Sequence, residues 1–449
     1  MRQRQFQRQV HPQRLLGSCL SSVCLLALIP APSAAGSGWT VLPNAPVAGR
    51  HDDVFFVNPD LGWVVNGNGQ IHRTTDGGEN WELQLQEVFY FRSVGFVDTQ
   101  KGWVGNLNGN PLLYVTTNSG AVWTPVQNIP PPQPTGICGI WVVNASVVYA
   151  CGRYDGPPRV IKTTNSGTTW TSSDLSPLAT TLIDCCFFDE NNGLVVGGIG
   201  TTFGNRRAVV LGTTNGGKTW ETRHTSTRTG EWCWKISFPT SSIGYVSIEN
   251  FGGASYFLKT TDGGQTWQDL FFRNGYEEQG IGFATPTLGW IGGYGGPTYE
   301  STDGGASWAL PGFGQQVQQV NRFRFLSQNL GYAVGETVYK YSVDVSGVSA
   351  DASPESPELV LVQNHPNPFH GSTAIAYTLA RDSEVKATIY DPQGRKIITL
   401  LEGRRAAGGH ELIWNARDGA GNPVSAGVYF YRLETGRESH AVKKLLLVN

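Results

Sequence analysis

The chain has 449 residues, among them 57 Gly, 14 Trp, 16 Tyr, 20 Phe and a single Met. It lacks the Ala, Leu, Glu and Lys content of a helical repeat, and it fits short alternating strands joined by turns. Without the four arginines of the expected leader it holds 29 basic against 35 acidic residues, about −6, which argues against a general nucleic-acid binder.

Residues 1–35 have the pattern of a secretory leader. Arg2, Arg4, Arg8 and Arg14 form a basic start, an apolar run follows at 15–29, and Ser33-Ala34-Ala35 is a small-residue cleavage site. The run is too short, and too soon followed by proline, to be a membrane span, and no later stretch approaches spanning length. The expectation is an exported protein without a transmembrane segment, secreted or at the outer cell surface after passage through the periplasm.

Residues 36–343 are organised around Thr260-Thr261-Asp262-Gly263-Gly264-Gln265-Thr266-Trp267, which recurs at 74–81, 116–123, 163–170, 213–220 and 301–308. Asp or Asn bonds its own backbone and Gly supplies a positive φ, so the stretch is a tight turn between strands. Its acidic or amide residues are Asp76, Asn118, Asn165, Asn215, Asp262 and Asp303. Three of the six are Asn, which cannot do acid–base work, so all six are expected to form turns. A second signature runs from an aromatic to a Gly-aromatic pair, as in Phe96…Gly102-Trp103 and Phe238…Gly244-Tyr245. Seven units start at Phe56, Phe96, Trp141, Phe187, Phe238, Phe283 and Phe325, in steps of 40 to 51 residues. This repeat length, with four short strands in each unit, predicts an all-β, seven-bladed propeller. The seventh unit lacks its turn, and Ser37-Gly38-Trp39-Thr40 resembles the segments that follow the other turns. The N-terminal strand is therefore expected to complete the last blade and close the ring, which removes an exposed sheet edge.

Five cysteines remain beyond the leader: Cys138, Cys151, Cys185, Cys186 and Cys233. Cys138 and Cys151 flank one predicted hairpin, where a disulfide suits an oxidising compartment, and Cys185 or Cys186 could reach Cys233. None shows metal-ligand spacing, and neither a metal nor a cofactor is expected. Residues 344–359 are small, acidic and Pro-containing, as in a flexible linker. Residues 360–449 read as strands at 373–379, 384–390, 395–400, 409–415, 427–435 and 439–448, an antiparallel sandwich of immunoglobulin type.

The eight-residue turn resembles the Asp box, or BNR repeat, of sialidases, sortilin-type receptors and xyloglucan-degrading hydrolases. Taken with the Gly-Trp signature, the repeat looks most like the photosystem II stability/assembly factor propellers. The likeness implies fold more than function, because one fold hosts many functions. Residues 360–449 resemble the type IX secretion sorting domain through Asn364-His365-Pro366-Asn367-Pro368-Phe369, Tyr390-Asp391-Pro392-Gln393-Gly394-Arg395, Trp414-Asn415-Ala416-Arg417-Asp418 and Ala426-Gly427-Val428-Tyr429-Phe430-Tyr431. That resemblance implies an outer-membrane translocon as partner, followed by release or surface attachment.

If the Asp box joins third and fourth strands, it shares a face with the loops between first and second strands. The opposite face is chemically richer, and its candidate ligand residues are Arg50, Asp52, Arg92, Tyr154, Arg206, Arg207, Glu231, Trp232, Trp234, Glu277 and Arg322. Aromatics beside Arg and carboxylates suit a protein or carbohydrate ligand. The plainer alternative is a solvated face with Trp232 or Trp234 plugging the channel. A sialidase would show an Arg-Ile-Pro or Arg-Leu-Pro element near the first blade, and none is present. Glycosidases need two carboxylates across a cleft; Asp52, Asp53, Asp155, Glu231, Glu277 and Glu278 are the candidates. The expectation is a monomeric binding or scaffold protein, with a secreted glycoside hydrolase as the alternative. An assembly factor held near an inner membrane is disfavoured by the outward-directing tail.

Overall fold

The computed structural model describes residues 37–127, 129–251, 253–311, 317–343 and, with short gaps, 359–448. The expected leader, and all of the expected linker except Leu359, lie outside the described residues. The chain divides into two compact units, 1–344 and 345–449. Among the described residues no helix is long and apolar enough to cross a membrane.

The first unit is an antiparallel propeller of successive sheets. Sheets 1 to 7 begin with the strands His51–Phe56, Phe91–Phe96, Gly139–Val142, Thr181–Phe187, Glu231–Ser237, Glu278–Phe283 and Arg322–Ser327. Each of these strands lies against the next, and Arg322–Ser327 lies against His51–Phe56, so the first strands are innermost in a closed ring. The outer strand of sheet 7 comes from the other end of the chain: Ser37–Val41 pairs antiparallel with Val338–Val343, placing Trp39 opposite Tyr341. Trp39 is buried edge-on against Trp290 and Phe323. Sheet 6 has three named strands, and its fourth position is held by a single bridge between Glu300 and Ala309.

The aromatic–Gly–aromatic signature forms the joint between neighbouring sheets. At four of the joints an aromatic at the start of the second strand stacks on the Phe that ends the next sheet's first strand: Trp63 on Phe96 at 3.5 Å, Tyr149 (after Val148 in place of Gly) on Phe187 at 3.6 Å, Tyr245 on Phe283 at 3.6 Å, and Tyr332 back on Phe56 at 3.6 Å. The Gly is required because its own sheet's Phe lies flat on it. A Cβ at Gly62, Gly102, Gly244, Gly289 or Gly331 would sit 2.3 to 2.5 Å from that ring. The Trp of the turn then meets the same Phe edge-on, as Trp123 does with Phe96 at 5.9 Å and Trp308 with Phe283 at 5.9 Å. Offset and edge-to-face contacts of this kind each add about 0.5–1.5 kcal/mol beyond the area they bury.

The Asp boxes join third and fourth strands. In each, the Thr or Ser hydroxyl donates to the Asp or Asn oxygen and accepts from the Gly four residues on, as with Thr74 to Asp76 at 2.8 Å and Gly78 to Thr74 at 2.9 Å. The same oxygen accepts a backbone N–H four residues ahead, Asn80 to Asp76 at 2.9 Å. An amide oxygen serves as well as a carboxylate, which is why Asn118, Asn165 and Asn215 stand in equivalent places. The hydrogen bonds, led by the Asn80 N–H, hold the Asp76 carboxyl at about 2; Thr266 and Ser307 lead the same effect at Asp262 and Asp303. Backbone bonds tie each box to the loop between first and second strands, Gly77 to Asp60 at 2.8 Å and Gly263 to Ser242 at 2.8 Å. Those two loop sets therefore occupy one face. The second–third loops and the connections between sheets make the other.

The second unit is a sandwich. One sheet orders Leu359–Leu361, Thr373–Leu379 and Gly408–Trp414, and the other orders Lys396–Arg405, Ser383–Tyr390, Gly427–Thr435 and Ser439–Leu447. Trp414, Tyr377, Ile389, Tyr431 and Leu445 fill the space between them. The conspicuous polar residues are local fasteners. Asn364 donates its backbone N–H to Tyr431 Oη at 2.9 Å and its side-chain N–H to Thr373 at 2.9 Å, and Arg395 pairs with Asp391 at 2.6 Å.

Phe96 is clamped between Trp63 and Gly102, so its ring cannot retreat from a new methyl group. Gly102→Ala is expected to cost about 1–3 kcal/mol, read as a lower urea midpoint for the propeller. Gly49→Ala, with nothing within 4 Å of its Cβ, is expected to leave the midpoint unchanged. Equal midpoints for the two variants would remove this account of the signature.

Candidate functional site

In six of the innermost strands the pairing with the second strand slips by one residue: at 51/53, 91/93, 182/184, 233/236 and 278/280, and in sheet 7 near the far end of the strand, at 325/327. A bulge leaves a residue unpaired and re-aims its side chain. The residues skipped in the first five are Asp52, Arg92, Ile183, Trp234 with Lys235, and Gln279. One device, repeated around the ring, thus supplies most of the chemistry near the axis.

On the face away from the Asp boxes, a cavity of about 370 Å³ is lined by Arg50, Tyr90, Arg92, Leu107, Tyr154, Trp232, Trp234, Glu249, Phe251, Glu277, Gln279 and Tyr294. Trp234 reaches from sheet 5 across the axis, with the Arg92 guanidinium 4.7 Å and that of Arg50 5.7 Å from its ring centre. Trp232 lies 5.9 Å from Trp234, tilted by 28°, and carries Arg206 at 4.7 Å on its own ring. Asp52 sits behind the two arginines, accepting from Arg50 at 2.8 Å and Arg92 at 3.0 Å. Burial works against the charge of Arg92, and the Asp52 carboxylate together with the other groups around it, Glu249 among them, more than offsets it, so the guanidinium stays firmly protonated. Opposite, Glu249 accepts from Trp232 Nε1 at 2.6 Å and from Gln279 Nε2 at 2.5 Å. Burial raises the Glu249 and Glu277 carboxyls above the usual range.

Several buried polar atoms here have no hydrogen-bond partner among the described residues: Nε and Nη2 of Arg92, Nη2 of Arg50, Nε1 of Trp234 and Oε1 of Gln279. Arg92 is only 3% exposed. Leaving such donors unpaired is costly, on the order of 1–3 kcal/mol each, so the cavity is chemically prepared for a polar ligand.

Beneath the cavity the axis is filled by ion pairs. Arg322 donates to Asp184 at 2.6 and 2.9 Å and lies 3.1 Å from Asp53, while Arg324 reaches Asp53 at 3.4 Å. Burial alone would raise the Asp184 carboxyl, but Arg322, with Lys235 and Arg324, outweighs it and holds the value at about 2. Lys235 is fully buried among them, and its Nζ has no hydrogen-bond partner among the described residues. Burial, with Arg322 close by, brings its ammonium down to about 7.

Of the expected ligand residues, Arg50, Arg92, Tyr154, Trp232, Trp234 and Glu277 are brought together in the cavity. Arg206 borders it through Trp232, and Arg207 is exposed on the strand Arg207–Thr213, outside the lining. Three expectations need correction. Asp52 is fully buried behind the arginines, Glu231 is fully buried and bound by Arg228 at 3.0 Å, and Arg322 is spent on Asp184 and Asp53. The expected Cys138–Cys151 disulfide is absent as well. Cys151 pairs with Gly139 and packs beside Cys185, whereas Cys138, one residue along, faces the Arg92 and Lys235 side. Strand alternation sends the two thiols to opposite faces. Glu249, Phe251, Gln279 and Tyr294 were not expected.

A sequence model of the family described as Photosynthesis system II assembly factor YCF48 matches residues 31–174 and 162–274, more than half of the chain. The chain belongs to the YCF48 family. A second model, the FlgD Ig-like domain, matches residues 367–439. The Photosystem II assembly lipoprotein Ycf48 of Synechococcus sp. (strain CC9902) is 27% identical over 352 residues, covering 72% of this chain and 96% of that protein. Among solved structures, YCF48 bound to D1 peptide is similar with a TM-score of 0.53 at 20% identity, over 70% of this chain and all of that one. An ancestral GH74 enzyme is similar with a TM-score of 0.52 at 17% identity, over 90% of this chain and 60% of that one. At these identities the structural likenesses show the propeller fold. YCF48 family membership covers the cavity walls up to sheet 5, and the Ig-like match lies beyond them.

The unfolded chain holds the Lys235 proton up to its ordinary 10.5, and the folded chain releases it near 7. Stability in this respect therefore rises with pH between those values and is flat below about 7. Lys235→Met removes the effect. It is expected to stabilise the protein most at pH 6, by on the order of a few kcal/mol, and least near pH 10. Guanidinium unfolding at both pH values measures it, and an equal gain at the two would show that the buried charge is not the cause.

Proposed function

We propose that this is an exported recognition propeller, which binds an extended protein segment in the cavity on the face away from its Asp boxes. The observation that carries this reading is the wall of Arg50 and Arg92 over Trp234, with guanidinium N–H groups left unpaired in a cleft of ligand size. Such a wall suits a carboxylate or acidic group of the bound segment, since charge-assisted bonds to Arg are short and directional. A relative in the family has been solved with a peptide bound, which supports a protein ligand over a glycan. The hydrolase alternative has less support, because Asp52 and Glu231 are locked in buried ion pairs and Glu249 is held by two donors.

The remaining organisation follows the same proposal. The ring has seven blades over 36–343, closed by the N-terminal strand; residues 1–35 are a leader, 344–359 a linker, and 360–449 a type IX sorting domain read by an outer-membrane translocon. The Synechococcus relative is described as a lipoprotein, in keeping with a chain that leaves the cytoplasm and acts at or beyond a membrane.

The test is an array of random decapeptides with free C-termini, probed with the full chain beside a glycan array. Peptide binding is expected to weaken by about 2 kcal/mol or more, roughly 30-fold, in Trp232→Ala. Arg50→Gln, which leaves Asp52 its bond to Arg92, is expected to weaken it by a smaller step. Binding confined to glycans would overturn the protein ligand, and release of sugar from any glycan would establish the hydrolase in its place.

A further inference from the structure

The cavity has two chemically opposite walls. Arg50 and Arg92 come from sheets 1 and 2. Glu249, Phe251, Glu277, Gln279 and Tyr294 come from sheets 5 and 6, on the other side of Trp234. This second wall presents two carboxyls, the unpaired Oε1 of a nearly buried Gln279, and two aromatic rings that stand far out of the protein, Phe251 at 54% and Tyr294 at 59% exposure. Phe251 packs on Phe203 with ring centres 4.8 Å apart, yet both aromatics leave more than half of their surface open beside buried acceptors. Together they match what a cation needs: carboxylates for its charge, a carbonyl oxygen for its N–H, and ring faces for its flanks.

We propose that the wall of Glu277, Gln279, Phe251 and Tyr294 is a second subsite that takes the side chain of a lysine or arginine in the bound segment. It rests on the reading of the cavity as a peptide site and specifies which peptides enter: those carrying a basic side chain at a fixed distance from the group held by Arg50 and Arg92. Glu249 forms the back of the subsite, already oriented by Trp232 and Gln279. Glu277 stands at its mouth, half-buried and outside the two bonds that fix Glu249. Burial raises both carboxyls, and an incoming ammonium or guanidinium would relieve that penalty. The arginines opposite do not cancel the attraction, because Asp52 already neutralises part of their charge from behind.

The experiment uses the full chain and Gly/Ala octapeptides with a free C-terminal carboxylate. Each carries one lysine, placed at successive positions, and is compared with its norleucine twin by titration calorimetry. At one spacing the lysine peptide is expected to bind at least tenfold tighter than its twin. Glu277→Gln is expected to reduce that preference below threefold, and Tyr294→Ala should reduce it as well. Both residues are exposed enough for the variants to fold, which their thermal midpoints check. Lysine and norleucine peptides that bind alike at every position would overturn the subsite and leave the peptide site standing. So would a lysine preference that survives both substitutions. Failure of every octapeptide to bind would remove the peptide reading and the subsite together.

Discussion

The side chain on which the architecture depends is Arg322. It stands on the innermost strand of sheet 7, crosses the axis to make two bonds with Asp184 of sheet 4, and keeps a third contact with Asp53 of sheet 1. A buried ion pair contributes little net stability, because desolvation consumes most of the Coulombic gain. What it supplies is registry, since none of these strands can shift without stranding a charge in a dry channel. Asp53 extends the tie by accepting the Val94 N–H of sheet 2, and Asp184 does so with Ile236 of sheet 5. The axis is thereby filled, and the cavity above it is a blind pocket with Trp234 as its floor.

The two faces of the ring spend their hydrogen-bonding capacity differently. On the Asp-box face, turn oxygens, hydroxyls and glycine N–H groups satisfy one another within eight residues, and lysines fasten the boxes to neighbouring sheets, as Lys259 does by donating to Gly304 at 2.7 Å. Little is left for a partner. On the other face the bulges push polar side chains out of the ladder, and several of their atoms remain unpaired. A bulge costs ladder bonds, so the arrangement gives up local regularity where a ligand would make up the loss. Structure thus lies at one end of the strands, and the recognition proposed above at the other.

The repeat, the closing strand and the sandwich strands were legible in the sequence because their causes are local. A turn needs Asp or Asn and Gly, and a strand alternates. The phase of the repeat was less visible. The seven aromatics that mark its units end or nearly end the innermost strands, so each unit read from the sequence runs one strand out of step with a sheet. The arginines and tryptophans of the cavity could be picked out by type and by their place before or after a turn. Gln279, Phe251 and Tyr294 carried no such mark, since a Gln inside a strand and aromatics in short loops look ordinary. Asp52, Glu231 and Arg322 were over-read for the converse reason. A charged residue at a strand's edge suggests solvent, and only the ring shows that Asp52 and Arg322 point inward, Arg322 to a partner 138 residues away in sequence, while Glu231 is buried against Arg228 three residues before it.

The selectivity proposed for the cavity follows from how its charges are already held. Two guanidinia share one carboxylate, so the arginine wall keeps positive character without being free to move, and Glu249 is fixed by two donors before anything arrives. Groups fixed in this way lose little freedom on binding, and rigid tryptophan rings lose less still. A ligand therefore meets a set of directions more than a general field. Lys235 lies below the floor, next to Arg92 and with its ammonium brought down to about 7, so its positive charge is added to the arginine wall only on the acid side of neutrality. An acidic ligand group gains from that extra charge and a basic one loses, which leaves the fixed geometry of the two walls as the selective element that pH does not alter.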